Sequence, residues 1–171
     1  MTSLDFEAGW WRTVGGGDAA RGVPNVPCAD CDLAFTRHLH LHLLPAPEEV
    51  RKIRQAVRTA LFAWGCPSWA VDDSVLLASE LVGNAVRHGP DTWITVNLLQ
   101  AGDRLLLEVT DASSVRPAVQ QADTADEQGR GMYLVQAVAS AWGARRDARG
   151  GKTTWCTLAL DGNPDEAKPL N

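Results

Sequence analysis

Glu80, Asn84 and His88 stand at i, i+4 and i+8 within the stretch from Ser79 to Gly89, SELVGNAVRHG. At helical spacing they form a polar row on a segment whose other positions include Val75, Leu76, Ala78, Val82 and Val86. Such a row is either a solvated face or the wall of a cleft, and spacing alone leaves both open. In a cleft the Asn84 amide oxygen suits Mg2+, a hard cation that takes oxygen ligands and keeps several waters. Glu80 would then orient a water or hydroxyl.

Two further groups can do chemistry of the same kind. Asp111 emerges at the end of the apolar run LEVTD, 107–111. It either starts a turn or, inside a nucleotide pocket, accepts from an adenine amino group. Gly129, Arg130 and Gly131 directly precede an apolar-periodic segment. Glycines there serve as a hinge, or they let backbone N–H groups at a helix start approach an anion. The Gly-Lys-Thr at 151–153 is no P-loop, because the upstream glycine is missing and a strand pattern follows it. Cys28 and Cys31 make a Cys-x-x-Cys half-site for zinc, with His38, His40 and His42 downstream. Structural zinc, a redox-sensitive thiol pair and incidental cysteines all remain open for that pair. Cys66 and Cys156 read as small packing residues.

The elements that must position these residues follow from periodicity. Phe35 to Leu44 alternates apolar and polar positions, which predicts a half-buried strand with three histidines on its polar side. Pro45 and Pro47 end it and open a helix with Glu48 and Glu49 in its first turn. Val50, Ile53, Val57, Ala60, Leu61 and Trp64 face inward, Arg51, Lys52, Arg54 and Arg58 outward, and Gly65 stops the helix. Ser68 caps a second helix that carries Asp72 and Asp73 early and runs to Gly89-Pro90. Strands over Thr92–Leu99 and Arg104–Thr110 are joined at Gly102-Asp103.

Residues Asp111 to Gln128 form a long polar connection of lid or binding-loop character. A third helix begins after Gly131 with Leu134, Val135, Val138, Ala139 and Trp142 as its apolar positions. Beyond it lie two strands, the last over Thr153–Leu160 after a Gly150-Gly151 turn. Helices grouped rather than alternating with strands point to an α+β two-layer sandwich: a mixed, mostly antiparallel sheet covered on one face by three helices. No early strand–glycine turn–helix unit supports a Rossmann fold.

The bulk properties agree. A chain of 171 residues with 45% hydrophobic and 22% charged residues has an ordinary globular composition. A net charge of −5 argues against direct binding of nucleic acid. No apolar run approaches the roughly 20 residues that span a bilayer, and Met1 to Trp11 lacks the order of a secretory signal, so no membrane association and a cytoplasmic location are expected. The chain divides into an irregular arm over 1–35, a domain over 36–161 and a tail over 162–171.

Taken together, SELVGNAVRHG at 79–89, LEVTD at 107–111, GRGMYLV at 129–135 and GKTTW at 151–155 resemble, in order and spacing, the boxes of the histidine-kinase-like, gyrase-like and Hsp90-like ATPase superfamily. The likeness covers roughly residues 36–160. The small size, the Glu80, Asn84, His88 helix and the Trp142-Gly143 ending look most like the anti-sigma factor serine/threonine kinases of actinomycete regulatory proteins. The resemblance implies ATP and Mg2+ as cofactors, with Asn84 holding Mg2+ and Glu80 the general base. It implies Asp111 for adenine, Gly129, Arg130 and Gly131 for the phosphates and lid, and Thr153 or Thr154 for a hydroxyl near adenine. His88 would shape the helix end.

The partners implied are a sigma factor and an anti-sigma factor antagonist, whose serine would receive the γ-phosphate, with a homodimer left open. One departure stands out: Asp111-Ala112-Ser113-Ser114-Val115 carries no glycine where the family has Asp-x-Gly-x-Gly. That departure favours an alternative, a nucleotide-gated binding module without significant kinase activity. A plain ATPase or a sensor kinase fragment is a third reading, disfavoured because no helical pair with a phosphoacceptor histidine precedes the domain.

Overall fold

The computed structural model describes residues 37–88, 93–115, 130–146 and 150–161. The arm, the tail, Cys28, Cys31, Gly129 and most of the polar connection lie outside the described residues. Strand β1 (Arg37–Leu43) is followed by helices α1 (Pro47–Ala63) and α2 (Ser68–His88). Strands β2 (Ile94–Ala101) and β3 (Arg104–Asp111) come next, then α3 (Arg130–Val138), β4 (Ala141–Arg146) and β5 (Lys152–Ala159). The five strands form one sheet in the order β1-β2-β3-β5-β4. The expected mostly antiparallel sheet is antiparallel at every pairing.

Alternation along the strands separates the two faces of the sheet. Ile94, Val96 and Leu98 of β2, Leu105, Leu107 and Val109 of β3, and Cys156 and Leu158 of β5 join the helices in one core. Leu39, Leu41 and Leu43 pack against it from β1. Burial of each large apolar side chain contributes about 1.5–3 kcal/mol. By the same period, Asp111, Lys152 and Thr154 lie on the helix side of the sheet. His38, His40, His42, Glu108, Thr110, Thr153 and Arg145 lie on the other.

Helix α1 buries Ile53, Val57 and Leu61, its predicted apolar stripe. Pro47 occupies its first turn, and Trp64 closes it with its N–H on the Ala60 carbonyl. The Gly65 N–H bonds Phe62 O and the Cys66 N–H bonds Leu61 O, with Gly65 at φ 76°. This pair of bonds is a Schellman motif, and the left-handed residue in it suits glycine. Arg54 and Arg58, expected to point to solvent, instead reach α2: Arg54 Nε donates to Ser79 Oγ at 2.7 Å and Arg58 pairs with Asp72 at 3.1 Å. Both are exposed guanidiniums, and each link is worth no more than about 1 kcal/mol.

Three boundaries differ from the sequence reading. Pro67, not Ser68, offers the carbonyl for the first turn of α2, to the Val71 N–H, so Ser68 is already helical. Helix α3 starts at Arg130, so Gly131 lies inside its first turn rather than before it. Trp142 belongs to β4, where it packs half-buried on the core, because the helix ends at Val138 and the chain enters β4 three residues later. Apolar spacing does not distinguish Trp142 at the end of a helix from Trp142 at the start of an edge strand.

The turn between β4 and β5 is tied to the end of β3. Gly151 packs on the main chain of Asp111 and Ala112: a Cβ there would overlap the Asp111 carbonyl oxygen and approach Ala112 Cα to 3.0 Å. Neither neighbour is a side-chain tip that can swing away. Cys156 is fully buried, and desolvation pushes its thiol up to about 12, in keeping with a packing role.

Two stability measurements test this packing. Leu61→Ala is expected to lower unfolding free energy by about 2–5 kcal/mol, whereas its neighbour Phe62→Ala, 56% exposed, changes it by about 0.5 kcal/mol or less. Gly151→Ala is expected to lose about 1–3 kcal/mol from overpacking. Equilibrium urea unfolding reads both, and a Gly151→Ala variant as stable as the parent would contradict the close approach to Asp111.

Candidate functional site

Helix α2 carries Glu80 and Asn84 on the side that meets α3, and both are half-buried. The contact with α3 is close at Gly131: a Cβ on that residue would lie 2.5 Å from Glu80 Oε2 and 3.9 Å from Arg87 Nη2. Glycine at 131 thus leaves the volume that the Glu80 carboxylate fills. The carboxylate sits against the first turn of α3, where unpaired N–H groups and the helix dipole favour negative charge.

Arg87 was not among the residues expected to act. Its Nη2 donates to Asn84 Oδ1 at 2.8 Å, and its guanidinium passes Gly83 and approaches Gly131. The signal for it is in the spacing. At about 100° per residue, i+7 falls about 20° from the direction of Glu80, whereas i+8 falls about 80° away. The polar row is therefore Glu80, Asn84 and Arg87, with His88 off the row and exposed. The Asn84 amide oxygen keeps a second lone pair beyond the bond to Arg87, so it suits a cation that needs a single protein oxygen.

The second grouping lies at the end of β3. Asp111 is 2% exposed, and directly across the β3–β5 ladder stands Lys152, 6% exposed. Lys152 Nζ donates to Asp111 Oδ1 at 2.9 Å, and the Ser113 N–H donates to the same oxygen at 2.8 Å. Ser113 is itself buried, and its hydroxyl accepts from the Val115 N–H at 3.2 Å. The glycine-free stretch after Asp111 is thus organised by side-chain-to-backbone bonds.

The remaining candidates separate. Thr154 lies on the same side of β5 as Lys152, whereas Thr153 faces the opposite side, where its hydroxyl meets that of Thr110 at 2.8 Å. Of the two threonines, Thr154 is the one on the side of Asp111. Arg130 is the first residue of α3. Gly129, Cys28 and Cys31 lie outside the described residues. The three histidines face away from the core and are held by β2: His38 and His40 meet Asn97 Oδ1 at 3.3 and 2.7 Å, and His42 meets Thr95 at 3.1 Å. Among the described residues, no group of three or more His, Cys, Asp or Glu side chains is arranged to hold a metal ion.

The arrangement offers a carboxylate at a helix start, an amide oxygen and a guanidinium beside it, and a buried acid–base pair on the sheet. These are fitting residues for a nucleotide. The N-terminus of α3 and the Arg87 guanidinium suit phosphate, Asn84 suits Mg2+, and the donors and acceptor of Lys152 and Asp111 suit a heterocyclic base. No helix among the described residues is long and apolar enough to cross a membrane.

Comparison with known proteins agrees with this fit. No curated protein matches the chain. Among solved structures, the chain is similar to the crystal structure of the RsbU and RsbW domains of Rv1364c from Mycobacterium tuberculosis, at 26% identity and a TM-score of 0.58. The likeness covers 74% of this chain and 33% of that one, so this chain spans about a third of its neighbour's length. Residues 43–158, well over half of the sequence, match the family model of the histidine kinase-like ATPase domain. With that match laid over the Glu80 and Asp111 groupings, the chain belongs to the histidine kinase-like ATPase domain family.

Proposed function

We propose that the domain over residues 36–161 binds ATP with Mg2+ and acts as an anti-sigma regulatory protein kinase, directed at a serine or threonine of an anti-sigma factor antagonist. Domains of this family bind ATP, usually with Mg2+. Regulation of a sigma factor draws on the resemblance of the small domain, its Glu80, Asn84, His88 helix and its Trp142-Gly143 ending to anti-sigma kinases. The likeness to a structure containing an RsbW domain supports it further. The observation that carries the kinase reading is Glu80 itself: its carboxylate sits beside the start of α3, in the space Gly131 leaves. A module that only binds nucleotide has no need of a base there.

ATP with Mg2+ would supply the γ-phosphoryl group and the neutralising charge on which phosphoryl transfer chiefly depends. Glu80 takes the proton of the acceptor hydroxyl. Asn84 presents its amide oxygen to the cation, oriented by the bond from Arg87. The Arg87 guanidinium and the first-turn N–H groups of α3, Arg130 and Gly131 among them, would hold phosphate oxygens. Asp111 and Thr154 attend the base from the sheet. The sigma factor would be held as a protein partner.

A second reading, a nucleotide-gated binder without significant transfer, is favoured by one observation. The segment after Asp111 has no glycine and is tied down by Ser113, which limits how closely that backbone can approach a nucleotide.

Incubation with radiolabelled ATP and candidate antagonists separates the two readings. Glu80→Gln is expected to lower transfer by roughly 100-fold or more while ATP affinity changes little; absence of transfer by the parent, alongside nucleotide-dependent partner binding, sinks the kinase reading. Gly131→Ala offers an independent check. Alanine is the better helix former by about 1 kcal/mol, and the clash falls on the mobile tip of Glu80, so folding is expected to hold. Transfer is expected to fall because the carboxylate is displaced. A Gly131→Ala protein with full transfer activity would remove Glu80, in this position, from the mechanism.

A further inference from the structure

Lys152 is buried where the proposed function places a nucleotide base, and neutralising Asp111 does not exhaust what it offers. Its ammonium has three N–H donors, one of which is given to Asp111 Oδ1. The Ser113 N–H bonds the same oxygen, so both donors fall on Oδ1 and neither on Oδ2. The side chains are fixed before any ligand arrives. The β3–β5 register sets Lys152 opposite Asp111, and the packing of Gly151 on the Asp111 main chain holds that register at its end. The helix side of the sheet therefore carries a hydrogen-bond acceptor and a donor side by side.

We infer that Lys152 is a base-reading residue. Its ammonium donates to ring nitrogen N1 of an adenine whose 6-amino group donates to Asp111 Oδ2. This rests on the nucleotide-site reading above and adds to it Lys152 as a specificity determinant. Adenine presents a donor at position 6 next to an acceptor at N1, the complement of the carboxylate–ammonium pair. A 6-oxopurine in the same orientation presents the reverse, an acceptor against the carboxylate and an N–H against the ammonium. Both contacts are then repulsive in a site already stripped of water, where unpaired polar groups discriminate most strongly.

The test uses the full chain and equilibrium binding rather than turnover. ATP, 1-deaza-ATP (which lacks the N1 acceptor), 7-deaza-ATP (which keeps both reading positions) and GTP are titrated by calorimetry in the presence of Mg2+. The expected result is 7-deaza-ATP close to ATP, and 1-deaza-ATP and GTP each weaker by roughly 10- to 100-fold or more. In Lys152→Met the gap between ATP and 1-deaza-ATP closes to within about twofold, and Lys152→Gln, which keeps an N–H donor, restores part of it.

Equal affinity of the parent for ATP and 1-deaza-ATP, or a Lys152→Met protein that still discriminates, overturns the inference while leaving the ATP site standing. GTP tighter than ATP overturns it as well. Failure of every nucleotide to bind removes the site reading itself. Lys152→Met leaves Asp111 buried without its partner and can fail to fold. In that event Lys152→Gln and the parent's own analogue series carry the decision.

Discussion

A carboxylate buried in the core side of a sheet has to be neutralised, and in this protein Asp111 is neutralised by the residue directly across the ladder. The β3–β5 register delivers Lys152 to that position, and the ion pair it forms is almost dry, with side chains 3% and 8% exposed. Removing one partner of such a pair costs about 3–5 kcal/mol, because the other charge is then stranded. The register, the turn that feeds β5 and the close approach of Gly151 all converge on this point. A one-residue slip between β3 and β5 would turn Asp111 and Lys152 to opposite faces of the sheet and break the pair.

The other half of the site depends on a different constraint, the separation of α2 and α3. It is set at Gly131, where the absence of a side chain admits the Glu80 carboxylate. Once the helices are that close, Glu80, Asn84 and Arg87 form a polar row along the contact. The start of α3 offers N–H groups to whatever anion is present, Glu80 included. A carboxylate beside a helix start is a natural consequence of packing two helices through a glycine.

The face of the sheet opposite the helices has its own polar order. Glu108 and Arg145 pair across β3 and β4 at 2.6 Å, Thr110 and Thr153 share a hydrogen bond, and the histidines of β1 lean on Asn97 and Thr95. Cross-strand pairs of this kind support the β1–β2 and β3–β5 registers, and Glu108–Arg145 reaches across β5. They also hold the alternating polar residues of β1 and the Glu108, Thr110 and Thr153 side chains away from the core.

Much of this was legible in the sequence because it depends on local periodicity. The alternation of β1, the helical stripe from Val50 to Trp64, the Gly65 stop and the β2–β3 hairpin each arise from residues within one or two turns of each other. The order of the four boxes was enough to indicate the family. What local pattern could not decide was anything set by contact across the chain. Trp142 reads equally as a helix end or a strand start, and its place in β4 comes from pairing with β5. Lys152 looked like part of a false phosphate-loop motif, and its importance appears only when β5 is laid beside β3. Arg87 and the choice of Thr154 over Thr153 follow from which face each element turns to its neighbour. Sequence spacing determines which residues share a face. Only the tertiary structure determines what that face meets, because burial, charge pairing and close approach are properties of two surfaces rather than one.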